Sequence, residues 1–469
     1  MALQGSFSGK TANTRITPTI TWKAVQSVVG NYSDITATLT YRRDNDYVTG
    51  GTWSGSLTIG TQIFTGKKTI RITDDTDAVA ISATARVNHD QQGALTVTIS
   101  ATGAVAGSTL TGTQISGSVT LNTIARASTV NASDANIGSC ATVVVSRKSS
   151  SFTHSIAYRF GQLSGYIDAN GNITDTETKF SATTVNFLLP ESFYLQIPNA
   201  PNGVCTLTCR TYTGSALVGT AQTCSFTATA PVDSCRPIVS GAVADCNPLT
   251  VALTGDDSVL VRYASHALCQ IDAQSQQGAT IALRRIGGVP IEADTLTLEQ
   301  AAFDSIVFEA VDSRGYATAC QVPVTQVDYI PLSCVCHVKR TAPTAPDAVL
   351  SLRGSCWKGN FGAAENVLSV TVQVNEGEVL PVDIAVGADH QFDATVTLSG
   401  MDYRQSHAVK IIIGDKVSTL EQTLTVHKGV PVFDWGENDF QFHVPVDLPD
   451  LTIAGVPLAD YIRSILEGA

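Results

Sequence analysis

Apolar and polar residues alternate with period two in many short runs, and this constrains the fold of the chain more than anything else. Ile35 to Tyr41 reads Ile-Thr-Ala-Thr-Leu-Thr-Tyr, and Ala94 to Ser100 reads Ala-Leu-Thr-Val-Thr-Ile-Ser. Successive side chains of a strand point to opposite faces, so such runs bury one face and wet the other. Helical spacing is rare by comparison. Charged residues make up only 15% of the chain, while Thr, Ser, Gly, Ala and Val abound. That balance favours strands and frequent turns. In the first 125 residues, Gly50-Gly51, Gly66-Lys67 and Gln92-Gly93 read as turns between strands. Short strands at close, regular spacing predict sandwiches or jelly rolls. The expected fold is all-β: serial β-sandwich (jelly-roll or Ig-like) domains, with a short C-terminal β/helix oligomerisation tip.

At roughly 100–200 residues per domain, a chain of this length holds about three to five domains. Residues 1–125 form a first sandwich and 126–231 a second, with Thr123 to Thr129 as linker. Asn170-Gly171 is a hairpin signal in the second. Pro231 opens another linker. Residues 232–331 suit an Ig-like domain, with Asp312 to Gly315 as the turn before its last strand. Residues 332–428 form a fourth sandwich or Ig-like unit, whose Pro-rich Thr341 to Pro346 reads as an edge or loop. Residues 429–469 remain as a tip.

The tip differs in kind. Phe440, Phe442 and Val444 alternate with Gln441 and His443, and Phe433 and Trp435 extend the apolar face across a turn at Gly436. Pro457 suits the first position of a helix in which Leu458, Tyr461, Ile462 and Ile465 fall at i, i+3, i+4 and i+7. A helix of about 11 residues is marginal alone in water. A segment this small cannot bury such a face by itself. Phe433, Trp435, Phe440, Phe442, Leu458, Tyr461, Ile462 and Ile465 are therefore the candidate oligomerisation residues, since symmetric assembly covers self-complementary patches.

Several chemistries find little support. Net charge is −12 and basic residues form no long block, which argues against nucleic acid as a partner. No run of eighteen apolar residues predicts a membrane span, and the N-terminus carries no apolar core of signal-peptide length. Gly60 to Lys68 imitates a phosphate loop, but it has one residue too many and Lys68 where a hydroxyl belongs. Neither a Gly-x-Ser-x-Gly elbow nor a His-Glu-x-x-His helix occurs. No catalytic, cofactor-binding or metal residue is assigned, and an enzyme is not expected. The eleven cysteines lie between Cys140 and Cys356 and read as reduced, largely core residues. Cys334, Cys336 and His337, with Cys356, have the donor types of a zinc site, yet no second pair follows at finger spacing. Asp168, Asp175 and Glu177 are rich in oxygen without EF-hand register, and Asp74, Asp75 and Asp77 read as an acidic turn. Tyr47 with Trp53, Trp357 with Phe361, and Trp435 are the aromatic candidates for a sugar platform, each weighed against simple packing.

A family resemblance rests on six segments in order. They are Asn88 to Gly93 (Asn-His-Asp-Gln-Gln-Gly), Leu121 to Ser128 (Leu-Asn-Thr-Ile-Ala-Arg-Ala-Ser) and Phe152 to Gly161 (Phe-Thr-His-Ser-Ile-Ala-Tyr-Arg-Phe-Gly). Gln196 to Ala200, Val311 to Gly315 and Phe433 to Phe440 follow. With these the chain resembles the tail fibre-like minor structural proteins (DUF859 type) of long-tailed phages of Gram-positive bacteria. Ala125 stands where that family often shows Pro. The resemblance implies a virion protein of the tail, assembled in the host cytoplasm, a homotrimer that meets other tail or baseplate proteins. It implies a tail fibre or tail-tip role in host attachment, with host cell-wall glycan as a candidate ligand. The alternative is a baseplate, collar or head-fibre component without receptor contact.

Overall fold

The alternating runs form strands whose buried and exposed positions follow the same period. Ile16–Ser27, for example, buries Ile16, Pro18, Ile20, Trp22 and Ala24. The computed structural model describes residues 2–44, 48–73, 77–429, 433–435, 440–442, 452–453 and 455–467. It is all-β in class, 56% strand and 6% helix. The chain forms two compact units. The first holds residues 1–236 with 275–280 and 313–316; the second holds 237–274, 281–312 and 317–469.

The first sandwich of the first unit pairs two four-stranded antiparallel sheets. One runs Gln4–Ser8, Ile16–Ser27, Tyr32–Arg43, Ala78–Asn88, and the other Gln62–Ile72, Thr49–Ile59, Thr96–Val105, Thr113–Thr120. Trp53 fills the centre of the core, fully buried. Its Nε1 donates to the Tyr41 hydroxyl at 3.0 Å, and that hydroxyl meets Thr113 Oγ1 at 2.9 Å. A buried indole N–H and phenol need such partners. Gly66, Gly55 and Gly103 are register partners on three adjacent strands. A Cβ on Gly55 would approach Trp53 Cζ2 to 2.5 Å, and one on Gly66 would lie 3.3 Å from Cζ3. The glycine row is thus the floor on which the indole lies. Gly50-Gly51 and Gly66-Lys67 therefore sit inside strands, contrary to their reading as turns. The turn lies at Gly60, whose φ of 60° suits glycine.

The second sandwich sets a three-stranded sheet (Thr184–Leu188, Cys140–Ser146, Thr129–Ala132) on a larger one built around Phe152–Phe160, Asn202–Thr213 and Gln222–Thr229. Tyr158, Phe160, Phe187, Phe193 and Phe226 form its aromatic centre. Asn170-Gly171 turns between Leu163–Ile167 and Ile173–Thr174, as expected.

The second unit carries two sandwiches of one topology. Ile238–Asp245, Ala267–Gln274 and Thr295–Leu298 face Val289–Ile291, Ile281–Ile286, Ser305–Asp312 and Ala317–Pro323. Ser333–Arg340, Ala348–Ser355 and Gln391–Leu398 face Val379–Val382, Ser369–Val374, His407–Gly414 and Thr419–Val426. In both, the first, second and fifth strands share one sheet and the fourth, third, sixth and seventh the other. Seven strands in two such sheets are an Ig-like arrangement. Thr341 to Pro346 is the hairpin loop between the first two strands of the last sandwich.

Candidate functional site

At the tip, Phe433–Trp435 pairs antiparallel with Phe440–Phe442, setting Phe433 opposite Phe442 and Trp435 opposite Phe440. The side chains of these four, with Gly436 and Val444, lie outside the described residues. The helix runs Leu458–Glu467, one residue later than the Pro457 start expected, because Val456–Pro457 pairs with Thr452–Ile453. It packs on that small hairpin. Leu458 and Tyr461 are half-buried. Ile462 is 48% and Ile465 56% exposed, so half of the predicted stripe faces solvent in a single chain. Asp460 and Arg463 form an i, i+3 ion pair at 3.5 Å on the polar side.

Five of the six sequence segments are joined by hydrogen bonds; the sixth, Phe433 to Phe440, lies partly outside the described residues. Ile124 N–H donates to the Gly93 carbonyl at 2.8 Å, joining the first segment to the second. Nearby, Arg126 Nη1 donates to the Val28 carbonyl at 2.8 Å. Ser128 Oγ lies 2.9 Å from His154 Nε2, joining the second segment to the third; both residues are fully buried. His154 Nδ1 is buried without a hydrogen-bond partner. Burial first, and the nearby Arg147 charge second, hold the His154 pKa below the ordinary histidine value. Arg314, 5% exposed, joins the fourth segment to the fifth. It donates to the carbonyls of Ile197, Tyr194, Gln276 and Gln277 at 3.1, 3.2, 3.0 and 2.5 Å. Ser313 Oγ adds a bond to the Pro198 carbonyl at 2.6 Å. All these residues belong to the first unit. In the second unit, Trp357, Phe361 and Tyr329 pack ring on ring, with centroids 4.8 to 6.0 Å apart, against Leu253 and Val261.

These placements correct the sugar-platform candidates. Trp53 is a core residue on a strand, not a loop aromatic, and Phe361 is 2% exposed. Trp357 is half-buried in the same cluster as Phe361. Tyr47 and the Trp435 side chain lie outside the described residues. The Gly60 to Lys68 stretch is the two-residue turn Gly60-Thr61 followed by the first seven residues of Gln62–Ile72. Asp168 closes its own turn, accepting from the Asn170 and Asn172 N–H groups at 2.9 and 2.8 Å. Glu177 accepts from Ser155 Oγ and Tyr212 Oη at 2.5 and 2.7 Å; these two bonds hold its pKa low. Asp74 and Asp75 lie outside the described residues.

Cys334 and Cys336 share a strand face with sulfurs 3.7 Å apart, while His337 is exposed. No cluster of three or more His, Cys, Asp or Glu suited to a metal ion occurs among the described residues. All eleven cysteines are free thiols. Burial pushes Cys205 and Cys336 up to about 12, and Cys209, Cys269 and Cys356 up to about 11. Such thiols stay protonated and inert. Ser33 Oγ lies 2.6 Å from His89 Nε2, a nucleophile–base pairing by distance, but Ser33 is fully buried and His89 7% exposed. No helix among the described residues is long and apolar enough to cross a membrane.

Sequence reasoning singled out the segments holding Arg126 and Arg314 without seeing what the arginines do, and it passed over Arg340. The available signal is position. Each stands at a boundary between strands or segments, where unpaired carbonyls of turns collect.

The fold and these contacts define a protein of serial β-sandwiches, Ig-like in the second unit, each with its own hydrophobic core. The family model described as "Siphovirus protein of unknown function (DUF859)" matches residues 18–346, and the chain belongs to that family. None of the curated proteins matches it in sequence. Among solved structures, a three-Ig-domain titin fragment is 11% identical over 64% of this chain and 99% of its own, at a TM-score of 0.30. The four-domain ICAM-5 ectodomain fragment is 10% identical over 88% of this chain and 100% of its own, at 0.32. A tetra-tandem repeat from the extending region of a large adhesion protein is 13% identical over 86% and 96%, at 0.27.

Proposed function

We propose that this chain is a structural component of the virion, a tail fibre or tail-tip protein that attaches the particle to a Gram-positive host surface. In this reading three copies join through the C-terminal segment, the protein also meets other tail or baseplate proteins, and it performs no catalysis. The observation that carries the reading is the amphipathic terminal helix, whose stripe leaves Ile462 and Ile465 exposed side by side one turn apart, in a chain of a siphovirus family. Exposed apolar patches on otherwise polar surfaces mark interaction sites. Support for a non-catalytic role comes from the burial of the two Ser–His pairs among the described residues, which leaves neither serine open to a substrate.

Purified full-length protein, fluorescently labelled, is to be incubated with host cells before and after removal of wall polysaccharide. Saturable binding that falls on removal is the expected result. Absence of binding, with antibody labelling of virions away from the tail end, would overturn attachment and favour a baseplate, collar or head-fibre component.

A further inference from the structure

A groove of about 530 Å3 lies at the end of the last sandwich, between the hairpin loop after Ser333–Arg340 and the segment that leaves Thr419–Val426. Its volume falls within the range of ligand sites. Lys339, Arg340, His427 and Lys428 are among its lining residues, and no Asp or Glu is among the described ones. The groove is thus opposite in sign to the chain as a whole, whose net charge is −12.

Arg340 explains why the groove is both rigid and positive. Its Nε donates to the His427 carbonyl at 3.0 Å. Nη1 reaches the carbonyls of Ala345 and Met401 at 2.9 and 3.2 Å, and Nη2 those of Asp402 and Gln405 at 3.0 and 3.2 Å. Five backbone carbonyls thus satisfy its donors, but among the described residues no carboxylate neutralises its charge. The Asp402 carboxylate instead accepts from the Arg404 N–H at 2.9 Å. Gly429 fixes the other wall: its N–H donates to the Tyr403 carbonyl at 2.8 Å, and any Cβ there would strike the Pro343 carbonyl. Lys339, His427 and Lys428 are exposed, and their side chains make no hydrogen bond or ion pair among the described residues. The groove therefore presents two free ammonium groups and an imidazole over a fixed, unneutralised guanidinium.

We infer that this groove binds the phosphate groups of a non-aromatic phosphodiester chain, a polyol phosphate polymer. Lysine binds phosphate as a point charge and needs no fixed fork geometry. Among the described residues the lining holds no Phe, Tyr or Trp on which a base could stack, which disfavours single-stranded nucleic acid. The net charge of −12 works against non-specific binding of a polyanion by the chain as a whole. Free phosphate shares the chemistry, and the test separates the two sources. The inference deepens the attachment reading, on which it rests for the origin of the polymer.

Full-length protein and the K339A/K428A variant are to be titrated calorimetrically at low and high salt. The probes are poly(glycerol phosphate), inorganic phosphate, dextran and a DNA oligonucleotide. The polymer should bind the wild type, more weakly at high salt, and the double variant should bind it roughly tenfold more weakly, the loss of about one charge-assisted hydrogen bond. Dextran should not bind. Phosphate bound as tightly per group as the polymer, and lost in the variant, would keep the site and reassign it to free phosphate. An unchanged affinity in the variant, no binding by the wild type at low salt, or equal affinity for DNA would overturn the inference. Host-cell binding retained by the double variant would reject this groove while leaving attachment intact. Polymer binding without cell binding would do the reverse.

Discussion

The first sandwich and the C-terminal helix meet the same problem, an apolar surface in water, in opposite ways. In the first sandwich the indole of Trp53 is fully buried, its N–H is bonded to Tyr41, and three strand glycines are cleared to seat it. Its outer faces pair hydroxyl with hydroxyl, as Thr36 does with Thr84, Thr38 with Ser82 and Ser56 with Thr102. The buried side chains of that core need no partner, although single apolar residues such as Val25 and Ile63 stand exposed on its strands. In the helix Leu458–Glu467 the stripe is half covered, and Ile462 and Ile465 stand in solvent. In the sandwich the chain completes its own packing, whereas the helix leaves an apolar edge that the proposed assembly would cover.

The comparison can be broken most forcefully at Trp53. Trp53→Ala should cost about 3–5 kcal/mol through lost burial and a cavity walled by glycines that cannot collapse inward. Urea unfolding followed on the first sandwich checks it, and a loss under about 1 kcal/mol would show that the core is looser than described. Arg314→Met comes next, at roughly 2–4 kcal/mol, because it strands several buried carbonyls. Limited proteolysis should then cut residues 275–280 faster than in the wild type.

His154 gives a pH test of the same unit. Its ring is held neutral in the fold, whereas in the unfolded chain it takes up a proton near the ordinary value of 6.5. The unfolded state thus binds more protons as pH falls, so stability is full above that value and declines below it. His154→Gln should flatten the slope of melting temperature against pH between neutral and mildly acidic conditions; an unchanged slope would assign the acid sensitivity elsewhere. The smallest effect on the fold is expected at the helix. Ile462→Asp combined with Ile465→Asp should shift monomer stability by no more than about 0.5 kcal/mol, since both residues are exposed. The same pair should disperse the assembly, which light scattering reads.

The sandwich fold was legible because period two is written into the strands, as in Ile35 to Tyr41, and because Gln92-Gly93, Asn170-Gly171 and Asp312 to Gly315 do turn where expected. Glycine was the misleading residue. Gly66 next to Lys67 carries a turn signature, but whether a glycine bends a chain or seats an aromatic depends on the strand opposite, which local sequence does not hold. The same limit hid the arginines. Arg314 and Arg340 answer carbonyls that turns far along the chain leave open, up to 120 residues away in the case of Tyr194. The helix stripe, by contrast, was read directly, because its period is local. Nothing among the described residues covers Ile462 and Ile465, and the period of the stripe does not say what would.

The most direct test of the account is the solution mass of the full chain against a chain ending at residue 429. Sedimentation equilibrium should report three copies for the full chain and one folded copy for the truncated one, with the sandwiches melting as before. A truncated chain that keeps the mass of the full assembly, or a full chain that sediments as a single copy, would contradict it.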